Sequence, residues 1–585
     1  MKRLLILLLF ASIISCKNKK EDKKTEFKTH FESSDGKETP TYSETIEFYM
    51  ALAKEFPEIN IQTVGETDSG FPLHVVTYNP DGDFNFKKIG QKKTVILINN
   101  GIHPGESDGI DASMLLFRDL GMEKLQAPKN VVLVTIPIYN VGGALNRNST
   151  SRVNQNGPEA YGFRGNSKNY DLNRDFIKND TRNGRTFAKI FHLVKPDIFI
   201  DNHVSNGADY QYTLTHIFTQ HDKLGNQIGE YFHREFTPIL ETALMDEGWD
   251  ITPFVNVYNQ VPENGFSQFM DLPRYSTGYT TLWNTLGMML ETHMLKPYEQ
   301  RVKGTYIFLK NVMIIAETQN KTIKKIRNQA QVGRRDWEYY PLSWKIDSTR
   351  TTKLNFKGYE ADTIESQVTG LPRLKYDRDR PFEKEVTYFN YFVPKDSVKI
   401  PEAYIVRKAW KEVIALMDLN GIIYSIVKED TSQIAEVYKI KDYKTRDNAY
   451  EGHYPHYDTQ VSSSDQLLTI NAGDYIIPTD QEGIRYILET LEPAAVDSFF
   501  NWNFFDPILQ QKEGFSPYVF EDLAIEILDN NVRLRDSFEF KKEMDQAFSQ
   551  NSHGQLQWIY EHSKYYETSH LQYPVYRIPK DTVTK

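Results

Sequence analysis

Thr94-Val-Ile-Leu-Ile-Asn-Asn-Gly-Ile-His103-Pro-Gly-Glu106 is an apolar run that stops abruptly in a Gly/Pro turn carrying one imidazole and one carboxylate. A short apolar, β-branched run bounded by turn formers reads as a buried strand. His103 and Glu106 stand where that strand leaves its sheet, so their side chains are free to converge on one point. A divalent metal needs such convergence. Zinc takes imidazole nitrogen and carboxylate oxygen at roughly 2.0–2.2 Å, and a catalytic site keeps a position for water beside three protein ligands. Alone, His-x-x-Glu describes a solvated turn as well as half a metal site. A second run, Pro196-Asp-Ile-Phe-Ile-Asp201-Asn202-His203, ends in the same way, with a histidine before a glycine-containing loop. Ligand sites of open α/β sheets gather beyond the carboxyl ends of strands. His103, Glu106 and His203 therefore form the candidate metal set.

Working outward, Tyr161-Gly-Phe-Arg164 and Asp171-Leu-Asn173-Arg174-Asp175 lie between these runs, and Leu286-Gly-Met-Met-Leu-Glu291-Thr-His293 follows them. The order His-Pro-Gly-Glu, Asp-Leu-Asn-Arg, Asp-Asn-His, Met-Met-Leu-Glu resembles the zinc carboxypeptidases of the carboxypeptidase A type, over about residues 40–320. The resemblance implies a mixed, mostly parallel sheet, one zinc ion and a peptide substrate. It also implies roles. Glu291, itself at an apparent strand end, matches the general base that takes a proton from water. Arg164 matches the arginine facing the oxyanion, with Arg152 and Arg147 as rivals. Asn173 and Arg174 match the pair that holds a terminal carboxylate, a task suited to a guanidinium fork that bonds both oxygens. Asp171 matches the carboxylate that orients a zinc-bound imidazole, here that of His103. The tyrosine that closes over substrate is Tyr275 or Tyr279, between which spacing does not choose. One departure stands out: the family continues Asn-Arg with Asn, whereas Asp175 adds a negative charge beside the proposed carboxylate site. Either Asp175 turns away or the substrate presents something other than a free terminus.

At the amino end, Met1-Lys-Arg precedes the apolar run Leu4 to Ile14, and Ile13-Ile-Ser-Cys16 follows. That run is too short for a mature membrane span and fits a signal-peptide core. Residues 1–16 are thus expected to be a lipoprotein signal, with Cys16, the single cysteine, as the acylation point rather than a redox or zinc residue. The protein is then exported and lipid-anchored to a bacterial membrane, on its periplasmic face or at the cell surface. Residues 17–39 are rich in charge and poor in apolar side chains, which predicts a flexible tether.

The chain as a whole is globular in composition, 39% hydrophobic and 25% charged, and its 585 residues predict more than one domain. A formal net charge of −10, without a clustered basic surface, argues against a nucleic-acid partner. Helical spacing over Thr41 to Phe56 and Ile110 to Leu120 alternates with strands at Ile59 to Val64, Leu73 to Tyr78 and Val131 to Ile138. This predicts an α/β sheet with helices on both faces. The catalytic unit is expected over 40–325, and an α+β accessory domain over 340–585. In the latter, Tyr404 to Val406, Ile422 to Val427 and Ile434 to Ile440 read as strands, while Trp410 to Met417 and Ile484 to Leu491 read as helices. The aromatic stretch Phe499 to Phe505 suits core packing better than a carbohydrate platform. His216, His221 and His293 read as exposed or core histidines, and His453 and His456 as loop residues.

Three functions compete. A zinc carboxypeptidase leads. An amidase acting on cell-wall peptides would keep the zinc and Glu291 but use Arg174 differently. A non-catalytic peptide- or glycan-binding lipoprotein would show the loss of a ligand or of the base, and the sequence lacks neither.

Overall fold

The computed structural model describes residues 27–334 and 337–580; the expected signal segment and Cys16 lie outside them. Nine strands precede the long central helix: β1 (Ile59–Glu66), β2 (Pro72–Tyr78), β3 (Thr94–Asn99), β4 (Val131–Ile136), β5 (Ile198–Ser205), β6 (Leu214–Phe218), β7 (Ile251–Pro253), β8 (Phe266–Ser267) and β9 (Leu286–His293). All but β8 form one sheet in the order β1-β2-β4-β3-β5-β9-β6-β7. The centre β4-β3-β5-β9 is parallel throughout, as is β6 with β7, and the antiparallel pairs lie towards the two edges. Every residue of β3, β5 and β9 is buried, so both faces of the central sheet are covered. The cover comes from helices, among them α1 (Tyr42–Glu55), α2 (Asp108–Gly121), α3 (Arg182–Val194) and α4 (Tyr298–Gly333). The α1 helix begins at a capping box, in which Thr41 Oγ1 accepts from the Glu44 N–H and the Glu44 carboxylate accepts from the Thr41 N–H.

Two boundaries differ from expectation. Residues 27–39 are not a tether. Phe31 is buried, Glu32 pairs with Arg118 at 2.5 Å and Thr39 donates to Asp111 at 2.7 Å. One aromatic anchor and a few paired polar groups suffice where composition shows only charge. The α4 helix also continues through residue 325 to Gly333. Among the described residues, no helix is long and apolar enough to cross a membrane.

Beyond α4 the chain forms β10 (Tyr339–Ile346), β11 (Thr352–Glu365), β12 (Pro372–Phe389) and β13 (Phe392–Lys399), then a six-stranded sheet and more helices. This part joins the first: β12 pairs in parallel with β8, and one apolar core runs from Phe31 to Val575. The stretch Phe499 to Phe505 is a series of turns whose Phe499, Phe500, Trp502 and Phe505 side chains lie inside that core.

The fully buried helix α5 (Ile484–Leu491) sits at this seam. Arg485 donates to the Lys223 and Leu224 carbonyls, and Glu489 accepts from the Tyr340 hydroxyl. Burial pushes the Glu489 carboxyl up to about 8. Between its unfolded value near 4.5 and that value, the folded chain keeps a proton that the unfolded chain releases. Stability therefore falls as pH rises through this window, by up to about 1.4 kcal/mol per pH unit. Glu489→Gln is expected to match wild type in thermal unfolding at pH 5 and to exceed it at pH 8. Parallel loss of Tm in both proteins would exclude this origin.

Candidate metal and substrate site

The parallel strands β3, β5 and β9 all point their carboxyl ends at one edge, and the candidate residues lie along it. His103 and Glu106 occupy the turn after β3, His203 lies on β5, and Glu291 stands directly opposite His203 in the β5–β9 register. Glu106 sits between the two imidazoles, with Oε1 3.4 Å from His103 Nδ1 and Oε2 3.0 Å from His203 Nδ1. The two rings are 5.0 Å apart, centre to centre. Among the described residues, this is the one group of three His, Cys, Asp or Glu side chains whose donor atoms all lie within 4.8 Å of one another.

The far side of each ring explains which nitrogen faces inward. His103 Nε2 lies 2.9 Å from Asp171 Oδ1, and His203 Nε2 lies 3.0 Å from Asp201 Oδ2. At His103 the Asp171 carboxylate keeps the proton on Nε2 and leaves the lone pair on Nδ1; His203, with a carboxylate 3.0 Å from each ring nitrogen, faces Glu106 through Nδ1. The buried His103 Nδ1 has no hydrogen-bond partner. Two inward imidazole nitrogens and one carboxylate oxygen suit zinc.

Electrostatics follow from burial in this crowded edge. Desolvation alone would raise Glu106, but Arg152, His103 and His203 hold it well below the usual carboxylate range. Asp171 behaves likewise, lowered against its burial by His103, Arg164 and Arg174. Glu291 goes the other way. Burial, with Glu106 and Asp201 adding repulsion, outweighs His203 and Arg164 and lifts its carboxyl to about 7.

His103, Glu106, His203, Arg164, Asn173, Arg174, Tyr275 and Glu291 line a single cavity of about 420 Å³. Arg164 donates Nε to Asp171 at 3.0 Å and is 3.6 Å from Glu106. Its rival Arg152 is nearer to Glu106, at 2.9 Å, whereas Arg147 is spent on the carbonyls of Thr39, Pro40 and Ala160. The Arg174 guanidinium lies 4.7 Å over the Tyr275 ring. Tyr279 does not reach the cavity. It is fully buried one helical turn further on, with its hydroxyl donating to Asn420 Oδ1 at 2.6 Å. Asp175 also turns away. Buried, it accepts from the Asp180 and Thr181 N–H groups, from the Thr181 hydroxyl and from Lys178. The extra charge thus orders the turn that enters α3 and leaves Arg174 alone.

Three contributions escape the sequence reading. Asp201 had a usable signal, since residues two apart on a strand share a face and Asp201 stands two before His203. Tyr258, half-exposed on the rim with its hydroxyl 3.2 Å from Asn206, had none. Ile217, Phe254, Met289 and Phe269 make an apolar wall from four separate segments. Of the other histidines, His293 lies buried against Asp209, His453 contacts Asp180, and His456 is a buried strand residue rather than a loop residue.

No family model matches the chain. In sequence it is 20% identical over 513 residues to a carboxypeptidase 2 of Trichophyton equinum, covering 80% of this chain and 84% of that one. The chain is similar to carboxypeptidases. A counterpart from Trichophyton rubrum is 21% identical over 501 residues, with the same coverage. Solved structures with partial overlap include a metallo-carboxypeptidase from Burkholderia cenocepacia (15% identity, 47% of this chain, 69% of that chain, TM-score 0.36). The carboxypeptidase A from Helicoverpa armigera overlaps likewise (13% identity, 48% and 74%, TM-score 0.37).

Proposed function

We propose that this chain is a zinc carboxypeptidase that hydrolyses the last peptide bond of a substrate with a free C-terminus. The observation that carries the reading is the Nδ1-inward pair His103 and His203 around Glu106, in one cavity with Glu291 and Arg174. His103, Glu106 and His203 would hold the zinc, which when bound supplies a polarising charge for a carbonyl and acidifies water. The chain's own groups do the rest. Glu291, raised by burial against the pull of His203 and Arg164, takes a proton on a carboxylate oxygen and hands it to the departing amine. Arg164 and Arg152 present fixed positive charge to the developing oxyanion. Arg174 and Asn173 receive the terminal carboxylate, with Tyr275 stacked against the guanidinium. The apolar wall of Ile217, Phe254, Phe269 and Met289 favours an apolar terminal side chain.

The reading extends to location. The run Leu4 to Ile14 before Cys16 supports an exported protein, lipid-anchored through Cys16 to a bacterial membrane.

Matched peptides with free and amidated C-termini test the substrate claim. Wild type is expected to prefer the free acid, and Arg174→Ala to raise KM for it by about 10- to 100-fold, the worth of a charge-assisted hydrogen-bonded pair. The variant should cleave both peptides alike. Equal cleavage by wild type would reject the carboxypeptidase reading and favour an amidase; no turnover by zinc-loaded wild type would favour a binding protein.

A further inference from the structure

The turn Tyr450-Glu451-Gly452-His453 lies about 280 residues beyond Asp171 in sequence, yet it abuts the catalytic edge. The Asp171 N–H donates to Glu451 Oε2 at 2.8 Å. Tyr450 and His453 exchange both backbone hydrogen bonds, so Glu451 and Gly452 are the two tip residues of a tight hairpin. Both have positive φ, +50° and +79°. Glycine suits such a tip, and at Gly452 a Cβ would strike the Tyr170 hydroxyl. Glutamate does not suit it, since a side chain in the left-handed region is strained. A strained residue whose carboxylate caps a single backbone N–H beside the cavity points to function rather than to the turn itself.

A second carboxylate of the same region grips the other wall. The fully buried Asp497 accepts from the Arg274 N–H at 2.9 Å, pairs with the Arg274 guanidinium at 2.8 Å and accepts from the Trp502 indole. The next residue is Tyr275, over whose ring Arg174 lies. Tyr450 stacks on Trp502, joining the two grips. Glu451 thus steadies the segment carrying Asp171, Asn173 and Arg174, and Asp497 steadies the segment carrying Tyr275.

We propose that the region after residue 340 is a working part of the site, with Glu451 a positioning residue for Asp171 and, through it, for His103 and Arg174. The inference rests on the hydrolase reading for its kinetic consequence, but its metal consequence stands apart from that reading. Groups that directly orient a ligating histidine, as Asp171 does, are worth roughly 10- to 100-fold in metal affinity, and Glu451, one contact further out, acts through a part of that.

Glu451→Gly, in the full chain, separates position from fold, because glycine relieves the strained φ while deleting the side chain that carries the carboxylate. The expected result is a Tm equal to or above wild type, Zn2+ affinity about three- to tenfold weaker by competition with a chromogenic chelator, and a raised KM for a free-acid peptide. Glu451→Gln, whose amide oxygen still accepts the Asp171 N–H, should restore both. Wild-type Zn2+ affinity in a folded Glu451→Gly, or a Glu451→Gln as impaired as the glycine variant, overturns the proposal. If wild type binds Zn2+ but cleaves no peptide, the hydrolase reading fails, and the affinity comparison still decides the role of Glu451.

Discussion

Replacing Glu291 by glutamine is expected to lower peptide hydrolysis by about 10²- to 10⁴-fold, the range supplied by a positioned general base, while one zinc per chain is retained. Glutamine has the same shape but does not accept a proton at neutral pH. The substitution also removes a negative charge that Glu106 and Asp201 repel inside a buried edge, so the fold does not suffer. Loss should therefore appear in kcat, with KM nearly unchanged, the pattern of an interaction made in the transition state only. Single-turnover kinetics with metal analysis of the same samples checks it. A variant keeping more than a tenth of wild-type turnover would remove Glu291 from its role. A variant that loses its zinc as well would make Glu291 part of the metal's support instead.

The central sheet and its site edge were legible because a parallel strand buried on both faces is written as an unbroken apolar run. In β3, β5 and β9 each run ends next to a polar residue at the same edge, so the strand ends announce the site. Asp171 was found through its motif, whereas Asp201 was passed over although it shares the strand face of His203. Tyr275 and Tyr279 look alike in sequence because they differ only in direction: Tyr275 precedes the first residue of a short helix and faces the cavity, while Tyr279 lies within the helix and faces the core. The long hairpin β11–β12 was missed although short alternations mark it, Leu354 and Phe356 on one strand and Val386 and Tyr388 on the other, because charged and polar residues fill most of the remaining positions. Composition misjudged residues 27–39 for the complementary reason, since a single buried Phe31 carries too little weight in a window of charges. Glu451 and Asp497 had no readable signal at all: each acts through one long-range contact, and no local period marks such a contact.

His203→Ala is expected to lose zinc more severely than any change in the supporting carboxylates. It deletes one of two inward nitrogens, whereas Asp201→Asn leaves the ring in place and only loosens its proton and orientation, worth about 10- to 100-fold. The alanine variant also leaves Glu106 and Asp201 facing each other without the imidazole that separates them, while Asp201 keeps the Ser276 hydroxyl at 2.5 Å and the Asn99 amide at 3.0 Å. The surrounding strand should hold, because β5 is bonded on both sides and buried along its whole length. Zinc affinity should thus fall by more than about 100-fold with far-UV circular dichroism unchanged. Graded affinities, wild type above Asp201→Asn above His203→Ala, would be the signature of a ring that ligates through Nδ1 and is held through Nε2. If Asp201→Asn proved as damaging as His203→Ala, the carboxylate would itself be a ligand. If His203→Ala bound zinc as wild type does, His103, Glu106 and His203 would be a hydrogen-bonded cluster with no metal to hold.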